Sequence, residues 1–278
     1  MRILESFILG KENNPLTCED GVFISEKLVA VIDGVTAKGS RMWNGHKSGY
    51  FAKEVLLQTL QELVDGDDNC LLADEQRSVL LLEKLDMALY DAVLSQGGDD
   101  MPTEEYPRAS IILYNDITKE VISYGDCQCS MGGRIHSHGK EVDRLNSDLR
   151  AYHLEYQLLC GATIEELAQN DPGRAAIKEN LRIQLGFENR KGEFCYPVLK
   201  GCGIEKTLIK RYKVREGDVV ILASDGYPRL GKSLEESERA LQQILREDPM
   251  CFRVYRSTKG VMPGNVSFDD RAFCEFIV

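Results

Sequence analysis

The sequence predicts an α+β sandwich, and three observations carry the prediction. Short apolar strands come in pairs joined by tight turns, long amphipathic helices fall between the strand pairs, and no Pro/Gly/Ser-rich linker divides the 278 residues. Strands joined by tight turns pair antiparallel, which leaves the helices to cover the outside of the sheets rather than to cross between parallel strands. The span 1–278 is expected to form a single domain, and 43% hydrophobic residues is enough material for a substantial core.

Taken in order, strands at 22–25 and 28–33 flank the turn Ser25-Glu26-Lys27. Two helices follow, SGYFAKEVLLQTLQELV and SVLLLEKLDMALYDAVLSQ, with apolar residues at three- and four-residue spacing. The stretch GGDDMPTEEYP at 97–107 reads as a surface loop. Strands at 109–115 and 120–126 are split by the turn that begins at Asn115. Thr163 with Glu166, and Ser233 with Glu236, fit the capping box, and Asp171-Pro172 places a cap before a first-turn proline. Strands at 206–213, 218–224 and 271–278 close the chain, with Glu216-Gly217-Asp218 as a turn.

A formal charge of −11 and a pI near 5.0 exclude nucleic-acid backbones and anionic membranes as general partners. No apolar run reaches the roughly 18 to 20 residues of a membrane span, and the opening MRILESFILGKENN has no leader-like core, so a cytoplasmic location is expected. The nine cysteines are odd in number and several lie inside apolar runs, which suits reduced, structural thiols. Cys127 and Cys129 with His136 and His138 are poorly spaced for zinc; alternate strand positions put the cysteines on one face, and the histidines read as part of a Gly-flanked turn.

Four aspartates sit where a short apolar strand begins or ends: Asp33 after LVAVI, Asp126 after EVISYG, Asp225 after VVILAS, and Asp269 before RAFCEFIV. Folding the first hairpin brings Glu19-Asp20 and Asp33-Gly34 to the same end of a sheet, and a glycine at 34 lets its carbonyl oxygen approach a cation. Each Asp-Gly alone is a turn signal. Together they form a set of hard oxygen ligands suited to Mg²⁺ or Mn²⁺, since carboxylates so clustered repel one another without a cation.

The segments CEDGVFISEKLVAVIDGV, ASIILYN with VISYGD, DVVILASDG and SFDDRAFCEFIV, in that order, resemble the metal-dependent PP2C (PPM) protein serine/threonine phosphatases, in a divergent bacterial form. The resemblance implies a four-layer α-β-β-α sandwich with two central antiparallel sheets. It implies two Mn²⁺ or Mg²⁺ ions bridged by Asp33, with the Gly34 carbonyl contributing, Asp225 and Asp269 on the first ion, and Glu19 approaching the second. Asp20 and Asp270 would stand behind these ligands, and Asp126 would border a third, weaker metal. The chemistry implied is attack of a metal-activated water in line on phosphorus, with no side-chain nucleophile and no phosphoenzyme. The implied substrate is a phosphorylated protein or another phosphoester.

Several positions depart from the family pattern. Where family members carry an arginine that grips the phosphate stands Pro15, with Lys11 the nearest basic residue. Arg229 stands in place of an aspartate of the third metal, so either that ion is lost or Arg229 itself contacts phosphate. Val35 follows the first Asp-Gly, and Cys127-Gln128 follows Gly125-Asp126. Lys38, Arg41 and His46 follow Asp33 in a loop that could either contact substrate or be solvated. Two functions remain open: a phosphomonoester hydrolase, or a weak or inactive pseudophosphatase serving as a binding or regulatory module.

Overall fold

A computed structural model describes residues 1–74, 77–98 and 100–278. Its strands are β1 (Arg2–Leu9), β2 (Asp20–Ile24), β3 (Leu28–Gly34), β4 (Ala109–Asn115), β5 (Glu120–Tyr124), β6 (Gln128–Met131), β7 (Arg134–His136), β8 (Lys210–Lys213), β9 (Val219–Ala223) and β10 (Arg271–Ile277). They form two five-stranded antiparallel sheets, one ordered β2-β3-β4-β5-β8 and the other β1-β10-β9-β6-β7. The helices are α1 (Ser48–Asp65), α2 (Ser78–Ser95), α3 (Glu141–Leu159), α4 (Ile164–Asn170), α5 (Pro172–Ala176), α6 (Asn180–Ile183) and α7 (Leu234–Glu247).

The run LVAVI in β3 is apolar throughout because both of its faces are covered. Val29 and Val31 join Ile112, Tyr114, Leu222, Cys274 and Phe276 in the layer between the two sheets, while Leu28, Ala30 and Ile32 pack against Leu56, Leu60, Leu82 and Leu85 of α1 and α2. On the far face of the second sheet, Ile221, Ala223 and Phe273 meet Tyr227, Leu230 and Leu234. The α+β architecture with two antiparallel sheets flanked by helices is therefore as the sequence predicts.

Four departures from the expected elements follow. Strand β1 has no clear sequence signal because it is an edge strand, paired among the described residues only with β10, from Arg2↔Ile277 to Leu9↔Arg271, and its outward positions need no strict alternation. Helix α3 is a second departure: Leu145, Leu149, Tyr152, Tyr156 and Leu159 recur at helical spacing, yet that stripe is exposed, while the buried face carries the polar Asn146, Ser147 and Arg150. Beyond Tyr124 the strand expected to 126 gives way to Gly125 at φ +132°, and the strand expected over 206–213 begins with a 3-10 turn, Lys206–Leu208. In the loop 97–107, Asp99 lies outside the described residues; the rest holds a 3-10 turn at Thr103–Glu105.

Cys127 and Cys129 are buried between the sheets. His136 belongs to β7 rather than to a turn, and His138 Nδ1 lies 2.6 Å from the Cys127 carbonyl while Nε2 lies 2.7 Å from the Tyr212 hydroxyl. No helix among the described residues is long and apolar enough to cross a membrane.

Candidate metal centre

Strand register assembles the site. Across β2 and β3, Asp20 pairs with Asp33, and across β3 and β4, Asp33 pairs with Ser110, whose hydroxyl donates to Asp126. Asp225 leaves the end of β9, and Asp269-Asp270 lead into β10, the neighbouring strand. Carboxylate oxygens of Asp33, Asp126 and Asp225 lie within 4.8 Å of one another. Those three and Asp269 line one cavity of about 490 Å³.

Two glycines are required by close approach. A Cβ on Gly34 would fall 2.3 Å from the Gly49 carbonyl and 2.5 Å from that of Glu19, so only glycine lets β3 end against α1. A Cβ on Gly125 would fall 2.3 Å from Ser110, and its positive φ also excludes most side chains, so glycine is what brings Asp126 against Ser110.

The carboxylates divide by their neighbours. Burial raises Asp33, and Asp20, Asp126 and Asp269 add to the rise; burial likewise raises Asp225, with Asp33, Asp126 and Asp269 adding. Asp126 behaves oppositely, because the Lys140 ammonium pairs with it and, with Ser110, outweighs burial and pulls it below the usual range. Asp269 is also lowered against burial, by Lys259 at 2.6 Å and by Lys11 at 3.8 Å.

Behind this cluster Asp270 acts as a brace. Its Oδ1 accepts from the Lys11 backbone N–H at 2.7 Å, and its Oδ2 accepts from Lys11 Nζ at 2.8 Å and from the Glu19 N–H at 3.0 Å. Glu19 Oε2 accepts from Lys11 Nζ and from the Thr36 hydroxyl, both at 3.1 Å. Among the described residues, Glu19 Oε1 is buried with no hydrogen-bond partner, as is Asp20 Oδ2. A Cβ on Gly49 would meet Glu19 Oε1 at 2.6 Å and the Gly34 carbonyl oxygen at 2.8 Å, so those two oxygens crowd the same point. Orphaned buried oxygens beside repelling carboxylates form a donor set that fits hard divalent cations.

Asp126 offers a carboxylate oxygen within 4.8 Å of those of Asp33 and Asp225. Lys11 is not free for phosphate: burial would lower its ammonium, but Asp269, Glu19 and Asp270 hold it protonated far above neutrality. Arg229 is exposed and is not part of the cavity wall, because Tyr227 and Leu230 on either side anchor the chain in the sheet's outer core. In the loop after Asp33, Arg41 lies over the Trp43 ring at 4.4 Å and His46 stacks on Tyr50 at 4.2 Å, whereas Lys38 lines the cavity. Sequence reasoning missed Lys140 and Lys259, which sit in no motif, and Ser110, which meets Asp33 only through the pairing of β3 with β4 across two intervening helices.

No family model and no curated protein matches the chain. Among solved structures it is similar to the catalytic domain of the serine/threonine protein phosphatase PstP in complex with two manganese ions, at 16% identity and a TM-score of 0.51, covering 100% of both chains. It is similar also to the Mycobacterium tuberculosis serine/threonine phosphatase PstP/Ppp, at 14% identity and a TM-score of 0.51, covering 99% of this chain and 98% of that one. At such identities the likeness is one of fold.

Proposed function

We propose that the span 1–278 is one metal-dependent phosphomonoester hydrolase domain acting on phosphoserine or phosphothreonine in proteins. The observation that carries this reading is the trio Asp33, Asp126 and Asp225 on the cavity wall, two of them raised by burial and mutual repulsion. Mn²⁺ or Mg²⁺ is the cation that oxygen ligands of this kind favour. Asp33, Asp126 and Asp225 would hold one ion, and Asp33, the Gly34 carbonyl and Glu19 Oε1 a second. Asp269 belongs to the proposed ligand set with Lys259 as its competitor. When bound, divalent cations supply charge neutralisation for phosphoryl oxygens and acidify water.

The chain's own residues support this in defined ways. Lys140 and Ser110 fix the Asp126 carboxylate, and Asp270 pins the segment that carries Glu19. Burial pushes the Cys127 thiol well up and Cys129 and Cys251 to about 12, so none of these supplies a thiolate at neutral pH. The test is hydrolysis of p-nitrophenyl phosphate with Mn²⁺ by the wild type, Asp33→Asn and Asp225→Asn. Strong loss in both variants is expected, and equal rates in all three would refute the reading.

One observation favours a second reading, a pseudophosphatase that binds a partner. Lysines already neutralise two of the four strand-end aspartates, Asp126 and Asp269. A calorimetric Mn²⁺ titration beside the activity assay separates the two, since this reading expects weak metal binding and no turnover.

A further inference from the structure

Most cations on the cavity wall are already matched. Lys140 pairs with Asp126, Lys259 with Asp269, Arg144 with Glu141 and Asp148, and Arg256 with Asp148. Two are not. Lys38 has no hydrogen bond or ion pair among the described residues, although it is only partly exposed. Arg174, also partly buried, makes among the described residues one side-chain hydrogen bond, from Nη1 to the Thr258 carbonyl at 2.8 Å, and no ion pair.

Arg174 is held there by construction. The Arg150 side chain, fully buried, binds Asp171 at 2.8 Å and the carbonyls of Met250, Cys251 and Ser257. Asp171 in turn caps α5 by accepting from the Arg174 N–H at 2.8 Å. This buried arginine thus ties α5 to the 250–258 segment, and Arg174 is presented from that joint to the cavity.

Keeping two unmatched cations partly out of water is unfavourable unless an anion arrives. Burial pulls the Lys38 ammonium down to about 8, with Arg174, Lys259 and Lys140 adding to the fall and Asp143 opposing it. Burial and Arg150 also lower Arg174, against Asp171, Asp143 and Asp269. Neither cation forms an ion pair with a carboxylate among the described residues, while the carboxylate cluster that lines the same cavity has an excess of negative charge.

From this juxtaposition we infer that Lys38 and Arg174 form the subsite that holds the substrate's phosphate dianion, in the cavity that Asp33, Asp126 and Asp225 also line. The assignment rests on the hydrolase reading above and makes it more specific. Two unmatched positive charges suit a phosphomonoester dianion better than a diester monoanion, and a guanidinium adds bidentate geometry. Lys38 and Arg174 are positioning residues that bind the phosphoryl oxygens and take no part in proton transfer.

The test uses Lys38→Ala, Arg174→Ala and the charge-keeping Lys38→Arg, with two readouts on the Mn²⁺-loaded chain: calorimetric titration of inorganic phosphate, and steady-state hydrolysis of p-nitrophenyl phosphate. Each alanine variant is expected to raise both the phosphate Kd and KM by roughly 10- to 100-fold, the worth of a charge-assisted hydrogen bond. kcat should change far less, and Lys38→Arg should bind like the wild type. Unchanged phosphate affinity in both alanine variants, or no phosphate binding by the wild type, would overturn the inference. If the wild type hydrolyses nothing, the hydrolase reading fails by itself, and the phosphate titration still decides whether this subsite exists. Thermal midpoints of the variants show whether any loss reflects misfolding.

Discussion

Asp33 and Asp225 differ from Asp126 and Asp269 in what neutralises them, although all four line one cavity. Lys140 and Lys259 pair with the second two and hold them ionised, whereas the first two are raised by burial and by one another. A fixed ammonium makes a carboxylate stable at the cost of its availability. A carboxylate left among its own kind is strained until a cation comes. The division separates the part of the site that holds itself together from the part that waits for a ligand.

The largest consequence falls on activity. Asp33→Asn removes one of the two strand-end carboxylates that form no ion pair with a lysine among the described residues, and Mn²⁺-dependent hydrolysis of p-nitrophenyl phosphate should fall by on the order of 10²- to 10³-fold, equivalent to about 3 to 4 kcal/mol. A smaller fall from Asp33→Asn than from Asp269→Asn would reverse the comparison.

Stability probes the other pair. Lys140→Met leaves the Asp126 carboxylate buried without its counterion, and about 3 kcal/mol should be lost in urea unfolding of the metal-free chain. Added Mn²⁺ should restore part of that loss, because a cation can replace the ammonium. A loss that is the same with and without Mn²⁺ would mean that Asp126 and the metal do not communicate.

Slightly smaller is the effect of the metal on the wild type. Binding to the folded chain alone should stabilise it by about 2.7 kcal/mol at a hundredfold excess over Kd, a rise of several degrees in the thermal midpoint. Asp225→Asn should lack most of that rise and, freed of one repelling charge, should be no less stable than the wild type without metal. A midpoint indifferent to Mn²⁺ would remove the distinction between the two pairs of aspartates.

How much of this was legible in sequence follows the same division. The aspartates could be read because each lies near the beginning or end of a short apolar strand, as Asp33 does after LVAVI, and hairpin pairing then brings Asp20 beside Asp33. Their counterions could not. Lys140 precedes a helix whose buried face is polar, Lys259 lies in an irregular stretch, and Arg174 depends on a buried Arg150–Asp171 pair between segments distant in sequence. No period or short motif encodes such contacts, since they arise only when the segments dock. The same gap explains Arg229 and Lys11, which have suitable charge: one faces solvent and the other is spent on Glu19 and Asp270.

The smallest effect is one of pH. Lys38 is pulled down to about 8 by burial, with Arg174, Lys259 and Lys140 adding to the fall and Asp143 opposing it. Its charge is therefore complete below that pH and lost above it, while a phosphomonoester, with its second pKa near ~6, stays a dianion throughout. KM for p-nitrophenyl phosphate should rise severalfold between pH 7 and 9, toward the value for Lys38→Ala, which should itself lack this component. Changes at the metal centre also vary with pH, so the informative quantity is the ratio of wild type to Lys38→Arg, whose guanidinium does not titrate in this range. That ratio should climb through a midpoint near 8. A flat ratio would place the Lys38 charge outside substrate binding and leave Arg174 as the one member of the proposed subsite that could bind the phosphate.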